Sequence, residues 1–513
     1  MAQLISIRPN VYKDSIRLLE TTRALLGAPG VSWGWALMAT PANIVTLAEK
    51  GFTQGLEKVS TNDLVIAVTA EDDQKAAEAL ETAQDVLFGA TTGAEEDKAS
   101  IASDLRAALA EAPQSNVAII SVPGPFAALE AHKALSSGLN VLLFSDNVPL
   151  QDEIDLKKRA QELGLLVMGP GAGTAMLGGV GLGFANRVKK GPVGILAAAG
   201  TGAQEVMSLL EHWGIGVSQV IGLGGRDLSP EVGGLMAESA IRALDADPET
   251  QAILLVSKPP SPAVAKRLLG LPKKPMTAAL IGLRKPIESP AHVKVCNTLE
   301  QSAILTLEVL GKSRPDVLGG LQVQAEQALL KLPSSRTRLV GLFSGGTLCY
   351  EAMTIATEYL GPIHSNTPLD KSWTVESAKP SDHVCLDLGE EEYTKGRPHP
   401  MIDTEARMSW LREQAKDSSV AVVLLDVVIG DGAHADPAGI IAPVAAEVVK
   451  SGAQVVAYVL GTSLDPQGLE AQRRALTSAG CIVTESAARA ALTAAALVRR
   501  DASIVTVELK GPN

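Results

Sequence analysis

Short apolar runs closed by glycine or polar turns alternate along the chain with stretches whose apolar positions recur every three or four residues. Runs of the first kind suit strands buried on both faces, and stretches of the second kind suit helices with one packed face. The pattern predicts strands at 63–68, 117–121, 141–144, 165–168, 193–197, 220–223, 252–256, 278–281, 338–343, 384–388, 420–427, 454–459 and 481–484. Helical patterns fill most of the intervals. Such alternation means β–α–β units, an α/β fold and mainly parallel sheets.

Breaks in the pattern suggest the division of the chain. Residues 89–100 are polar and acidic, 187–192 are basic with glycine and proline, and 312–338 carry Pro315 and Pro333 around one helix. Residues 367–382 also read as a loop. The organisation expected is an N-terminal α/β segment over 1–90 and a Rossmann-like segment over 91–188, either separate from the first or continuous with it. A first flavodoxin-like domain over 189–312, a connector over 313–337 and a second flavodoxin-like domain over 338–513 follow. No short-period repeat is visible.

Composition narrows the function classes. The chain has 513 residues, 46% of them apolar and only 3% aromatic, so its cores must be aliphatic. The net charge of −12 and the lack of a basic stripe argue against nucleic-acid partners. No apolar stretch is long enough to span a bilayer, and the N-terminus lacks the basic-then-apolar pattern of a secretion signal. Cys296, Cys349, Cys385 and Cys481 are widely spaced, which fits a reduced cytoplasmic setting and gives no cysteine metal site.

The strongest internal signal is a pair of matching segments. Residues 194–207 run from an apolar strand through Gly200-Thr201-Gly202 into a helix with Glu205 in its early turns. Residues 340–353 do the same through Ser344-Gly345-Gly346-Thr347, with Glu351 in the equivalent place. The first N–H groups of a helix lack intrahelical partners, and the helix dipole makes that end partly positive. Glycines let an anion approach the backbone, and threonine adds a hydroxyl. Either turn alone could be a tight connection that binds nothing. Two copies in one chain point to phosphate binding by Gly200, Thr201, Gly202, Gly345, Gly346 and Thr347. The acids can be explained as stabilising residues near a helix start.

Several longer strings resemble a known group. Ser121-Val122-Pro123-Gly124-Pro125-Phe126, Ser145-Asp146-Asn147 and Met168-Gly169-Pro170-Gly171 resemble the nucleotide-binding domain of the succinyl-CoA synthetase α subunit. Residues 191–301 resemble that subunit's ligase domain. Residues 338–498, with Cys385-Leu386-Asp387-Leu388-Gly389 and Asp426-Val427-Val428-Ile429-Gly430, resemble the ligase domain of the β subunit. The narrower resemblance is to the FdrA family. It rests on Ala39-Thr40-Pro41-Ala42-Asn43, Gly224-Gly225-Arg226-Asp227-Leu228-Ser229, Ser257-Lys258-Pro259-Pro260 and the stretch from Tyr393 through Arg397 and His399 to Asp403. The resemblance implies two flavodoxin-like, succinyl-CoA-synthetase-type ligase domains that each lend one helix N-terminus to a shared phosphate. It further implies a subunit of an oxamate carbamoyltransferase in allantoin breakdown, moving a carbamoyl group from oxalurate to phosphate.

Two departures from the synthetases shape that expectation. Their phosphorylated histidine sits in a Gly-His-Ala-Gly string, whereas the matching region here runs from Arg284 to His292 and Val293 without it. His292 reads as a residue entering a strand. The chain also opens from Leu4 through Arg8, Asn10 and Lys13 to Ser15 with no glycine, which counts against coenzyme A. Lys13 and Ser15 could still meet an anion at a helix start. Phosphate is then a substrate, and no other cofactor and no metal is called for.

The remaining polar residues supply candidate chemistry. Arg226 and Lys258 follow strand ends, where α/β ligands bind. Arg226 could pair with a carboxylate or phosphate, or with Asp227. Arg397 and His399 lie in a proline-punctuated loop suited to substrate contact. His399 and His434 could exchange protons near neutral pH, and Asp436 near His434 could instead cap a helix. Asp387 and Asp426 sit at strand ends inside apolar runs. They either contact substrate or hold a loop's backbone and basic groups. Trp33 and Trp35 read as packing or an interface. The expected partners are small-molecule substrates and other transferase subunits in an oligomer, with no membrane. The alternatives are an NDP-forming acyl-CoA synthetase subunit and a non-catalytic phosphate-binding scaffold.

Overall fold

A computed structural model describes residues 2–11, 13, 15–53, 55–88, 102, 104–283, 285–394 and 398–509. The chain divides into two compact units. One comprises Met1–Ile101 with Glu390–His399, the other Ala102–Gly389 with Pro400–Asn513. Among the described residues no helix is long and apolar enough to cross a membrane.

The first unit is built on a three-stranded antiparallel sheet. Leu64–Ala70 lies in the middle, flanked by Ala2–Arg8 and Val31–Met38. The central strand shows why the sheet is covered twice. Leu64, Ile66 and Val68 pack with Leu25, Ala76, Ala79 and Leu87 of the helices Ser15–Gly27 and Asp73–Phe88. Val65 and Ala67, on the opposite face, pack with Leu47 of helix Pro41–Glu49 and with Phe52. Trp33 and Trp35 meet edge-on, and Trp33 stacks obliquely on Phe52, so both indoles serve packing. Lys13 lies over the Phe88 ring. Parallel, Rossmann-like pairing begins only at Val117.

In the second unit, Val117–Ile120, Asn140–Leu143 and Val167–Met168 form a small parallel sheet. The next sheet has its strands in the order Val293–Cys296, Met276–Leu280, Ala252–Ser257, Lys190–Ala197, Val217–Gly222, followed by the hairpin Thr174–Leu177 and Val180–Gly183. Its first five strands are parallel, and the hairpin adds antiparallel to Val217–Gly222. The last sheet is parallel throughout: Ile363–His364, His383–Asp387, Arg338–Phe343, Val420–Val428, Gln454–Leu460, Ile482–Thr484.

Setting aside the hairpin and the short Ile363–His364 strand, both large sheets have the flavodoxin-like order 2-1-3-4-5. In each, the chain reverses its winding direction beside the first strand, and a crevice opens at that strand's carboxyl end. Lys190–Ala197 and Arg338–Phe343 are those first strands. A single aliphatic core joins the two sheets through the helices Gly200–His212, Leu299–Val309, Gly346–Leu360 and Ala487–Arg499.

Candidate phosphate site at two converging helix starts

The two matched turns meet. Thr347 lies 146 positions after Thr201, its counterpart, and its N–H donates to the Thr201 hydroxyl at 3.4 Å. A Cβ on Gly202 would lie 3.0 Å from Thr347 Cγ2, and one on Gly345 would lie 2.9 Å from Thr201 Cγ2. Glycine at 202 and 345 is therefore what lets the two helix starts touch. Replacing Gly202 with alanine should wedge them apart, since its Cβ would also press Val256 Cγ1 at 2.8 Å. The expected loss is about 1–3 kcal/mol, read as a lowered unfolding temperature.

The two starts are not equivalent. Helix Gly200–His212 has no side-chain cap, and the N–H groups of Gly200, Thr201 and Gly202 find no acceptor among the described residues. In the second turn, Asp426 already acts as the anion. The Ser344 N–H and hydroxyl donate to its Oδ1 at 2.8 and 3.0 Å, and the Gly345 N–H donates to its Oδ2 at 2.7 Å. Arg407 completes the cluster from beneath, through Nη1 to Asp426 Oδ1 at 2.9 Å and Nη2 to the Asp426 carbonyl. The open anion-binding positions thus belong to the first helix, at the switch point of its sheet.

Glu205 and Glu351 make an exchange across the core. Glu205 accepts from the N–H of Ala487, first residue of the last helix in the second lobe, and Glu351 accepts from Leu299, first residue of the last helix in the first lobe. Each acid therefore satisfies an orphan amide in the opposite lobe. Both are fully buried. Burial pushes Glu205 up to about 8, against smaller pulls from Tyr458 and the Ala487 amide, and pushes Glu351 well above the usual carboxylate range. The second oxygens of both carboxyls and the Tyr458 hydroxyl lie outside hydrogen-bonding geometry.

The other candidates are placed as follows. Lys258, at the end of Ala252–Ser257, holds its ammonium 5.6 Å from the Tyr350 ring centre, and Tyr350 belongs to the first turns of the second helix. Its ammonium has no hydrogen bond or carboxylate among the described residues. Asp387 Oδ1 accepts from Gly389 N–H at 3.0 Å, and its other oxygen packs against Gly346 where a Cβ would stand. Asp387 and Asp426, considered for substrate contact, thus both support the second turn from inside. Arg226 is held by Glu153 at 2.9 Å and by the Val148 carbonyl at 2.7 Å, not by Asp227. Glu153 in turn bonds Lys157, which bonds Asp227, and that buried chain ties the small parallel sheet's last helix to the first lobe.

His434 accepts from the Asp436 N–H through Nδ1, while Asp436 caps helix Pro437–Lys450 through Gly439. His399 belongs to the first compact unit, and the two turns belong to the second. Arg397 lies outside the described residues. His292 bonds the Pro272 carbonyl just ahead of Val293–Cys296, as a strand-entry residue should. The sequence reading passed over Arg407, Glu153, Lys157 and Thr174: Arg407 meets Asp426, Glu153 meets Arg226 and Lys157 meets Asp227 only through the fold, which also brings Thr174 to the first helix start.

The small parallel sheet does not offer coenzyme A a glycine-rich first turn. Gly124 and Gly169 face backbone of the same segment, at Asp146–Asn147 and at Leu143, with no room for a Cβ. Both glycines serve internal packing.

A family model described as CoA-ligase matches residues 342–497, and one described as AllF, heavy metal-associated domain, matches residues 1–103. The chain thus carries a CoA-ligase-type domain. The 1–103 segment contains neither cysteine nor histidine, so it offers a metal no thiolate or imidazole ligand. The YahF protein of Escherichia coli (strain K12) is 38% identical over 507 residues, covering 96% of this chain and 98% of its own length. Subunit alpha 2 of the ADP-forming succinate–CoA ligase of Archaeoglobus fulgidus is 30% identical over 178 residues. That match spans 34% of this chain and 61% of the subunit. The apo dinucleotide-forming acetyl-coenzyme A synthetase 1 of Ca. Korarchaeum cryptofilum aligns over 76% of this chain and 84% of its own, at 16% identity and a TM-score of 0.30.

Proposed function

We propose that this chain, which belongs to the family of Escherichia coli YahF, is the phosphate-binding subunit of a carbamoyl transferase that moves a carbamoyl group from oxalurate to inorganic phosphate. The observation that carries the reading is the first helix start, where three amides without acceptors open at a sheet's switch point while the second helix converges on them. Two dipoles then favour one anion, and Lys258 adds a positive charge near the second helix. A transfer of this kind needs a held, oriented phosphate and no phosphohistidine, in keeping with a chain that lacks the Gly-His-Ala-Gly string.

In the step, a phosphate oxygen attacks the carbamoyl carbon. A C–O bond forms, the C–N bond to the oxamate nitrogen breaks, and the phosphate proton ends on that nitrogen. The products are carbamoyl phosphate and oxamate. The open amides of Thr201 and Gly202 hold the nucleophile, and other subunits supply whatever else the substrate requires.

The match to a CoA-ligase model supports a second reading, a component of an acyl-CoA synthetase. One experiment separates the two. The purified chain, alone and reconstituted with candidate partner subunits, is given oxalurate and phosphate, and in parallel ATP, coenzyme A and a small carboxylic acid. Oxamate should appear only when phosphate is present. Lys258→Met should lower the rate about tenfold or more, the worth of a charge-assisted contact. Acyl-CoA formation without phosphate-dependent oxamate would replace the transferase by the ligase.

A further inference from the structure

A small recess lies beside the open helix start, at the carboxyl ends of Lys190–Ala197 and Val217–Gly222. Its wall is nearly all backbone, from Gly171, Gly200, Gly222 and Gly224 among others, and no charged side chain lines it. Two of these glycines, Gly222 and Gly224, are required by crowding behind the wall. A Cβ on Gly222 would stand 2.7 Å from the Thr174 carbonyl oxygen, and one on Gly224 would stand 2.6 Å from the Gly169 carbonyl carbon. The free volume is ≈ 20 Å³.

One side chain brings a polar atom to this space. Thr174 is 2% exposed, and its hydroxyl lies 3.5 Å from the point where a Cβ on Gly200 would be. That hydroxyl has no hydrogen-bond partner among the described residues. With no partner in the protein, the hydroxyl is left for whatever occupies the recess. The unpaired hydroxyl and the Gly200 amide, which finds no acceptor among the described residues, line one small space, and both can donate to it.

We propose that this recess is a subsite for one planar, oxygen-bearing end group of the substrate, a carboxylate or carboxamide, which Thr174 and the Gly200 amide receive through its oxygen. The volume decides the size. The recess is open on one side and has room for little more than one water-sized atom, so it takes an oxygen of the end group rather than a whole phosphate or a pantetheine thioester. The donors decide the polarity, since they call for an acceptor and repel an ammonium group. The assignment deepens the reading given under Proposed function by placing the second substrate beside the phosphate. The recess itself stands independently of what the phosphate does.

The test is calorimetric titration of the full chain with oxamate, which carries both end groups, and with inorganic phosphate. It is repeated on Thr174→Val, which keeps the shape and removes the hydroxyl, and on Thr174→Ser, which restores the hydroxyl. Oxamate should bind the natural chain. The valine variant should weaken it about tenfold with phosphate affinity unchanged, and the serine variant should recover most of the loss, as expected for one hydrogen bond. Oxamate failing to bind the natural chain, or binding the valine variant equally well, would overturn the proposal. So would a parallel loss of phosphate affinity in the valine variant, which would make the recess part of the phosphate site. If oxamate binds through Thr174 and phosphate does not bind at all, the subsite stands and the phosphate-dependent transferase falls.

Discussion

Glu205→Gln is expected to be more stable than the natural protein by ~3–5 kcal/mol at pH 8.5 and nearly equal to it at pH 4. The reason is a carboxyl enclosed in the core with one amide donor, whose affinity for its proton burial raises to about 8. The unfolded chain releases that proton near the ordinary glutamate value of about 4.3. Below that value both states are protonated, and the residue has no pH-dependent effect. Between the two values the folded state binds the extra proton, so stability falls as pH rises. Above about 8 both states are ionised and the penalty is complete.

Glutamine keeps the acceptor for the Ala487 amide, can turn its NH₂ toward Tyr458, and cannot ionise. The difference between the two proteins should therefore grow steadily from pH 4.5 to 8 and then level off. Urea unfolding at several pH values measures it directly. A difference that stays flat across that range would mean that Glu205 is charged throughout and that its environment is wetter than the packing indicates. Glu351, raised in the same direction by the same cause, should behave alike.

These acids show where reading the sequence reached its limit. Their places in two matching segments were visible, and acid near a helix start has a sufficient local explanation. What they do depends on the opposite lobe, because Glu205 meets Ala487 and Glu351 meets Leu299, contacts that no local pattern encodes. The long parallel strands were legible because burial on both faces makes them nearly continuous apolar runs, as in Val420–Val428, which is buried along its whole length and interrupted only by Asp426. Ala2–Arg8 and Val31–Met38 were harder to read. They lie at the edges of their sheet, mix exposed and buried positions, and pair with Leu64–Ala70 at long range. Arg226 illustrates the same limit among candidate site residues. Its neighbour Asp227 was the obvious partner, but Asp227 is turned inward to Lys157 and to the amides of Met236 and Ala237, leaving Arg226 to Glu153. The kinship of the two turns could be read from matched residues; the asymmetry between them could not, because it comes from Asp426, remote from Ser344 in the chain and adjacent in the sheet.

Asp426→Ala should be the most damaging single change in the second lobe, at ~3–5 kcal/mol. The substitution strips the Ser344 and Gly345 amides of their acceptor and leaves the Arg407 guanidinium buried without its counter-charge. Burial already lowers the proton affinity of Arg407, and Asp426 is what opposes that shift. Arg407→Met alone should cost less, because Asp426 would keep its three donors from the turn. The double variant should lose less than the sum of the two singles by about 1.5 kcal/mol or more, since the stranded charge that dominates the first loss is then gone. Denaturant unfolding of the four proteins supplies the cycle, and strictly additive losses would contradict the described coupling. The same variant also tests the inequality of the two helix starts. With Asp426 gone, the vacated turn and Arg407 together form a cationic pocket, so added phosphate should raise the unfolding temperature of Asp426→Ala more than that of the natural protein. An equal rise in both would mean that the second turn receives phosphate even while Asp426 is present, and the single open site on the first helix would have to be abandoned.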